Sequence, residues 1–173
     1  KRGFNQQAIK RWGCSINSYG DFVIPVFSDK KEVLGWIVRR QQAIPKYMYS
    51  KGFRKSQVLF GKHLLPETVQ RLYITEGAFD TMWLDAHGYP SVAILGAFMS
   101  QAQIDLVSSL HPSEVVLCLD NDATGVKAID KALLDMSDRF LVSYINIPKP
   151  YKDVQDIRQA TQLHKVLENK TYW

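Results

Sequence analysis

The sequence has few cysteines and no long hydrophobic run, and both absences narrow the classes of protein it can belong to. Only Cys14 and Cys118 occur in 173 residues, and the second lies in an apolar segment typical of a buried thiol, so we expect no disulfide framework. None of the four His has a Cys or His partner at zinc-ligand spacing, so we expect no zinc. No apolar stretch approaches the roughly 18 residues of a membrane helix, so we expect a soluble chain without a membrane partner.

Charge is distributed unevenly along the chain. Residues 1–70 hold thirteen Lys and Arg against four Asp and Glu, a net of +9, whereas residues 71–173 hold nine against thirteen, a net of −4. This split indicates a basic region for a polyanion beside an acidic site for cations. Within residues 39–62, Lys and Arg alternate with Tyr and Phe, a pattern that suits phosphates and stacked bases. A solvated basic loop with its aromatic side chains packed underneath explains the pattern equally well.

The order of predicted elements indicates an α/β fold. A helical pattern over Asn5–Trp12 precedes a hairpin of two strands, Phe22–Phe27 and Val33–Val38. The second half alternates strands with helices: Leu72–Ile74, Phe79–His87, Val92–Leu95, Ser100–Leu110, Val115–Leu119, Thr124–Asp135, Phe140–Ile147, and a last helical region from Asp153 towards Leu167. Such alternation predicts a parallel sheet flanked by helices. We therefore divide the chain into a smaller mixed α+β basic subdomain, residues 1–70, and a parallel-sheet domain, residues 71–173.

Acidic residues follow three of the predicted strands. They are Glu76 and Asp80 after the first strand, Asp120 and Asp122 after the third, and Asp153 and Asp156 after the fourth. Ligands of parallel sheets gather at the carboxyl ends of the strands, so these carboxylates are expected to meet. A cluster of like charges is unfavourable unless cations neutralise it. Because Mg²⁺ prefers oxygen ligands, the sequence predicts one or more divalent-metal sites.

Two motifs of the acidic half resemble the signatures of the TOPRIM domain. Glu76-Gly77 with Asp80 is similar to its E-G pattern, and Asp120-Asn121-Asp122-Ala123-Thr124-Gly125 is similar to its D-x-D-x-x-G pattern. The resemblance implies a Rossmann-like parallel sheet and metal chemistry. TOPRIM domains occur in primases, topoisomerases, small nucleases and recombination proteins, so this motif pair alone does not choose the reaction.

The basic half is similar to the segment that precedes TOPRIM in bacterial DnaG-type primases. The matching residues are Pro25-Val26-Phe27, Leu34-Gly35-Trp36-Ile37-Val38-Arg39, Pro45-Lys46-Tyr47-Met48-Tyr49-Ser50 and residues 53–61. Departures at Met48-Tyr49-Ser50 and at residues 152–156 favour a phage or mobile-element primase. The family's zinc-binding and helicase-docking modules are missing from this sequence. We therefore expect an excised RNA polymerase core that meets its replicative helicase through regions absent here.

The resemblance implies a nucleotidyltransferase that makes short RNA primers from NTPs on single-stranded DNA during replication, using Mg²⁺ or Mn²⁺, in the cytoplasm of a bacterium or a phage-infected cell. It implies catalytic roles for Glu76, Asp120 and Asp122. It implies metal ligation by Glu76, Asp80, Asp120, Asp122, Asp153 and Asp156, with Glu76 as either a ligand or a general base. It implies binding of nucleotide or template by Arg39, Lys46, Tyr47 and Lys55.

Two other functions remain compatible with the residues. A TOPRIM nuclease or topoisomerase fragment would use the same acids to cut a strand rather than extend one. A non-catalytic TOPRIM module would only bind nucleic acid. The full acidic set argues against this last function, because a pure binder of polyanions gains nothing from carboxylates that face phosphate.

Overall fold

A computed structural model describes residues 3–173, which divide into two compact units, one ending at Arg54 and the other comprising Lys55–Trp173. The predicted boundary after residue 70 therefore lies inside the second unit. Residues 55–70 belong there because Phe60 and Ala93 exchange two backbone hydrogen bonds of 3.0 and 2.9 Å. Leu59 and Val69 also lie in the hydrophobic core of this unit.

The first unit is a helix followed by an antiparallel sheet. Helix α1 covers Gln6–Arg11, and the strands β1 (Ser15–Ile16), β2 (Phe22–Phe27), β3 (Val33–Arg39) and β4 (Tyr47–Tyr49) pair in the order β1-β2-β3-β4. The predicted helix and hairpin are confirmed. Asn5 caps α1, its side chain accepting a hydrogen bond of 2.8 Å from the amide of Ala8. Buried side chains of the unit include Trp12, Ile24 and Ile37.

The second unit is a five-stranded sheet with four α-helices between or beside its strands. Its elements are β5 (Arg71–Thr75), α2 (Ala78–Ala86), β6 (Ser91–Ala93), α3 (Gln101–Ser108), β7 (Glu114–Cys118), α4 (Ala123–Met136), β8 (Leu141–Ile145), α5 (Ala160–Glu168) and β9 (Lys170–Tyr172). The strand order is β6-β5-β7-β8-β9, and only β9 is antiparallel to its neighbour. The central strand β7 is buried along its whole length, as expected for a parallel strand covered on both faces.

The last predicted helix begins later than the sequence indicated. Asp153 caps a 3₁₀ turn over Val154–Asp156, and Ile157 then adopts an extended conformation that interrupts the chain before α5. The prediction of one helical region starting at Asp153 is therefore wrong at its beginning. None of the helices in residues 3–173 is long and apolar enough to cross a membrane.

A candidate metal centre and the basic residues

Three carboxylates converge at the carboxyl ends of the parallel strands. Asp80 lies in the first turn of α2, Asp120 follows β7, and Asp153 begins the 3₁₀ turn after β8. One oxygen from each lies within 4.8 Å of one oxygen of the others. The strand-end rule applied to the sequence therefore predicted the right edge of the sheet for these three acids. Oxygen donors at this spacing are the ligand type that a hard divalent cation requires.

Asp80 is the most buried member of this carboxylate trio, which we define as Asp80, Asp120 and Asp153. Its exposed fraction is 8%, and its Oδ1 accepts no hydrogen bond from the residues that the structure describes. Burial raises the pKa of Asp80 well above its usual range, and the neighbouring Asp153 and Asp120 carboxylates raise it further. A buried acid oxygen without a donor, facing two other acids, suits a bound cation.

The absence of a side chain at Gly77 leaves space for the Asp80 carboxylate. A Cβ atom at Gly77 would lie 2.8 Å from Asp80 Oδ2, closer than such atoms pack. The turn between β5 and α2 is also closed by the Thr75 hydroxyl, which lies 2.7 Å from the hydroxyl of Thr81 and donates to the Gly77 carbonyl. The E-G motif thus shapes the turn that carries Asp80.

Asp122 lies near the trio but outside it. It is exposed, and its Oδ1 accepts hydrogen bonds of 3.0 Å from the amides of Thr124 and Gly125, which makes it the N-cap of α4. A Cβ at Gly125 would overlap the backbone carbonyl oxygen of Asp120. The D-x-D-x-x-G motif therefore assigns different work to its two acids: Asp120 joins the trio, while Asp122 holds the helix that follows.

The third acidic segment, residues 152–156, is tied to the Asp120 loop. The Asn121 amide N–H donates to the Lys152 carbonyl at 2.7 Å, and the Asn121 side chain donates to the carbonyl of Ile147 at 2.8 Å. Lys152 Nζ lies 2.9 Å from Asp120 Oδ2. The exposed Asp156 lies outside the trio and accepts a hydrogen bond of 3.0 Å from the Lys152 amide. The clamp formed by Asn121 could not be predicted from the sequence, because it depends on two loops that are distant along the chain.

Glu76 lies directly after β5, half-buried and outside the trio. Burial raises its pKa, and the charges of Asp120 and Asp122 add to that effect, while Lys152 and Lys55 oppose it. Glu76 is therefore close enough to the acidic loops for their charge to raise its pKa. Its position fits either predicted role, that of a further ligand or of a base.

Lys55 is held at the same edge of the sheet by a buried amide. A Cβ at Gly96, just past β6, would lie 3.5 Å from Lys55 Nζ. The Gln103 side chain is 1% exposed and donates to the carbonyls of Lys55, Val58 and Ile94 at 3.1, 2.9 and 2.9 Å. Gln103 also forms a capping box with Ser100 at the start of α3. Its second role, fixing the Lys55 segment on the sheet, was not predicted.

The other predicted nucleotide-binding residues lie in the first unit. Arg39 ends β3, and its guanidinium carbon lies 4.9 Å from the centroid of the Tyr47 ring in β4. Its Nη1 also donates to the Arg40 carbonyl at 2.7 Å. Lys46 and Tyr47 are exposed. The structure therefore brings Arg39 and Tyr47 into contact on adjacent strands. From the sequence, this segment could be either a nucleic-acid-binding surface or a solvated basic loop.

Comparison with known proteins gives consistent similarities. Residues 73–158 match the family model described as Toprim-like. The DNA primase of Thermotoga maritima is 34% identical over 94% of this chain, and the DNA primase of Mycoplasma genitalium is 28% identical over 78% of it. The chain spans only 31% and 24% of these two relatives.

Solved structures share the fold. The structure of the DnaG catalytic core has a TM-score of 0.84 at 19% identity, covering 99% of this chain and 71% of that one. A DnaG primase catalytic domain bound to single-stranded DNA has a TM-score of 0.79 at 20% identity, covering 99% of this chain and 69% of that one. The expected fold class, a TOPRIM-type parallel sheet flanked by helices after a smaller mixed subdomain, is confirmed.

Proposed function

Because the chain belongs to the DnaG-type DNA primases and contains a Toprim-like domain, we propose that it is the catalytic core of a primase. The reaction is the metal-dependent synthesis of short RNA primers from NTPs on a single-stranded DNA template, in the cytoplasm where replication takes place. Since the chain spans 31% of the Thermotoga maritima relative, contacts with a replicative helicase are assigned to regions of the longer proteins outside the matched segment.

The observation that carries this proposal is the carboxylate trio. The three acids come from three different strand ends, their oxygens lie within 4.8 Å of one another, and the buried Asp80 Oδ1 has no hydrogen-bond donor among the described residues. This donor set fits Mg²⁺ or Mn²⁺, both of which take carboxylate oxygens. A bound divalent cation would supply charge neutralisation for the phosphates and a lowered pKa for the attacking 3′-hydroxyl.

The chain's own residues act around that cation. Asp80, Asp120 and Asp153 hold it, and Asp122 keeps the N-terminus of α4 in place beside Asp120. Glu76 accepts the proton of the attacking hydroxyl; its raised pKa brings it closer to the range of a general base that works near neutral pH. Asp156 contributes by orienting the backbone of residue 152 rather than by direct ligation.

The basic residues bind the polyanionic reactants. Lys55, at the same sheet edge as Glu76, pairs with phosphates of the incoming nucleotide. In the first unit, Lys46 contacts the template backbone, and the stacked pair of Arg39 and Tyr47 offers a charge and an aromatic face to phosphate and base. Single-stranded DNA, NTPs and the RNA primer are therefore the proposed partners.

Primer synthesis on a single-stranded template with labelled ribonucleotides tests the function. The chain is compared with Asp120→Ala and Glu76→Ala, and with Asp130→Ala as a control that removes an exposed acid from α4. Elongation of a preformed RNA primer is measured in parallel, because the chain spans only 31% of the Thermotoga maritima primase and is tested for extension separately from initiation. We expect metal-dependent products with the chain and the control, and none with the two other variants.

The same assay separates the proposal from a nuclease. Template that is shortened in a metal-dependent way, with no extension of the preformed primer, would replace the primase assignment by strand cleavage. Binding of the template without either product would assign a non-catalytic module.

A further inference from the structure

Lys152 and a bound cation require the same oxygen atom. The ammonium nitrogen of Lys152 lies 2.9 Å from Asp120 Oδ2, and Asp120 belongs to the carboxylate trio. A carboxylate oxygen in contact with an ammonium group is partly neutralised and less available to a metal. Lys152 is therefore placed to compete with the cation that the trio would hold.

The backbone of Lys152 is fixed while its side chain is not. The Lys152 carbonyl accepts a hydrogen bond of 2.7 Å from the Asn121 amide, and its own amide donates to Asp156 Oδ2 at 3.0 Å. The side chain is 61% exposed and forms an ion pair with Asp120. An ion pair with one partner this exposed is weak and can exchange at little cost. A change of side-chain rotamer can thus move the ammonium group without disturbing the loops.

The surroundings of Lys152 indicate where its charge is useful after it leaves Asp120. It lies close enough to Glu76 to lower the pKa of that acid, as Lys55 also does. Lys152 and Lys55 therefore both act on the acid at the mouth of the site. A nucleotide whose phosphates meet the trio-bound cation would lie near both lysines.

We propose that Lys152 is a displaceable counter-cation: a divalent metal takes Asp120 from it, and the released ammonium group then binds the phosphates of the nucleotide. The first half needs only the trio and Lys152, whereas the second half rests on the proposed nucleotidyl transfer. No bond is formed or broken in the exchange, since one ammonium group leaves a carboxylate and one divalent cation replaces it. Lys152 thus couples metal occupancy to phosphate binding.

Metal binding to the full chain tests the first half by calorimetry with Mg²⁺ or Mn²⁺ alone. Lys152→Met should bind the metal about two- to five-fold more tightly, the fold-change expected on removing a partly exposed ion pair. Lys152→Arg, which keeps a charge able to pair with Asp120, should bind the metal no more tightly than the unaltered chain. The control Lys149→Met removes an exposed lysine from the same loop and should leave the affinity unchanged. Equal tightening by Lys149→Met, or none by Lys152→Met, would overturn the proposal.

Chemical labelling follows the side chain itself. Acylation of lysines with an excess of reagent, read by mass spectrometry, should modify Lys152 faster when Mg²⁺ is added, and more slowly again when inorganic tripolyphosphate is added with Mg²⁺. Lys149 should show neither change. Acceleration without protection would retain the displacement and overturn the phosphate role. If the unaltered chain made no primer in any assay while both labelling changes were observed, the proposed function would be refuted. The exchange of Lys152 for the metal at Asp120 would still stand.

Discussion

At the scale of single residues, the buried carboxyl of Asp80 is favourable for metal binding and unfavourable for folding. Its raised pKa means that the folded state holds this proton more tightly than the unfolded chain does. Ionisation therefore opposes folding, and the stability contributed by the protonated group is lost as the pH rises through the raised pKa. The trio is a place where the chain retains a destabilising group, which is expected where that group has a function.

Asp80→Asn should separate the two effects. Without metal at pH 7.5, the variant should be more stable than the unaltered chain by about 1–2 kcal/mol, because a neutral amide replaces a charge that burial disfavours. The increase in Tm that Mg²⁺ gives the unaltered chain should be lost, with metal affinity falling at least about tenfold. Thermal unfolding with EDTA and with Mg²⁺ measures both quantities.

Asp130→Asn provides the matched control for this substitution. Asp130 is an exposed acid of α4, so its amide should change neither stability nor the effect of Mg²⁺. The stabilising effect of Asp80→Asn should disappear near pH 4, where the Asp80 carboxyl of the unaltered chain is protonated as well. A variant that is destabilised at pH 7.5 would contradict this account of Asp80.

Glu114, in β7, is the other buried acid of the described residues, and its environment has the opposite effect on its pKa. Burial raises its pKa, but hydrogen bonds from Lys170, Ser143 and Arg71 outweigh burial and lower it overall. Lys170 Nζ lies 2.7 Å from Glu114 Oε1, and both side chains are less than 10% exposed. This group ties β5, β7, β8 and β9 together through their side chains.

Glu114→Gln should therefore destabilise the chain by about 3 kcal/mol, because the Lys170 charge is left buried without its partner. The lowered pKa of Glu114 means that its contribution is present above the ordinary Glu range and is lost as the pH falls through the folded-state pKa. Urea unfolding at pH 7 and near pH 3 measures the difference, which should shrink at the lower pH.

Glu168→Gln is the comparison for that experiment. Glu168 pairs with the same Arg71 at 3.7 Å, but its side chain is 50% exposed, so we expect a loss below about 1 kcal/mol. Equal losses of stability in the two variants would show that burial of the Glu114–Lys170 pair does not increase the cost of removing the acid.

The acids of the site could be predicted from the sequence, whereas the groups that hold them could not. Asp80, Asp120 and Asp153 each follow a predicted strand, and the strand ends of a parallel sheet meet at one edge. Gln103 and Asn121 donate to carbonyls 45 and 26 residues away along the chain, which only the tertiary structure brings within reach. Neither Gln103 on its helix nor Asn121 between two acids has neighbours in the sequence that indicate such contacts.

At the scale of secondary structure, the strands with an apolar run were predictable and the edge strands β4 and β9 were not. Strands β2 and β7 each contain a run of apolar residues bounded by polar ones, which is typical of a strand. The three-residue strands β4 (Tyr-Met-Tyr) and β9 (Lys-Thr-Tyr) lie at sheet edges, where pairing with a neighbour rather than local pattern determines the conformation. The start of α5 was misplaced because Asp153 caps a 3₁₀ turn as effectively as it would cap a helix.

In helix α4, a Gly-to-Ala substitution should change the stability in the direction opposite to that expected from helix propensity. Replacing Gly by Ala in a helix usually stabilises it by about 1 kcal/mol. Gly125→Ala should instead destabilise the chain by about 1–3 kcal/mol, because its Cβ would overlap the Asp120 carbonyl oxygen and the loop must shift. Displacement of Asp120 should also weaken Mg²⁺ binding, which calorimetry measures beside thermal unfolding.

Val126→Ala tests whether any change at the start of α4 has this effect. Val126 is the next residue and is 54% exposed, so its truncation should leave both stability and metal affinity nearly unchanged. A stabilising effect of Gly125→Ala would contradict the prediction. It would mean that α4 lies farther from the Asp120 backbone in solution than in the structure.

At the scale of the whole molecule, the two compact units carry opposite charge. Residues 1–54 contain eleven Lys and Arg against three Asp and Glu, whereas residues 55–173 contain eleven against fourteen. The boundary found in the structure moves Lys55 and Lys62 to the acidic unit, where the charge of Lys55 acts on Glu76. The basic unit keeps Lys46 and Lys51, both exposed on the segment that includes β4.

The location of this positive charge, rather than the net charge of +5, should determine the proposed binding of single-stranded DNA. Affinity should fall linearly on a logarithmic salt scale, with a slope of roughly −0.7 for each phosphate neutralised. The double variant Lys46→Glu with Lys51→Glu should reduce the magnitude of that slope by about 1.4, the change expected when each of the two lysines neutralises one phosphate. Lys127→Glu with Lys165→Glu makes the same change in net charge on exposed helix positions of the acidic unit and should reduce the slope far less. Fluorescence anisotropy of a labelled oligonucleotide between 50 and 300 mM salt measures the slopes, and equal slopes for the two double variants would mean that net charge alone governs binding.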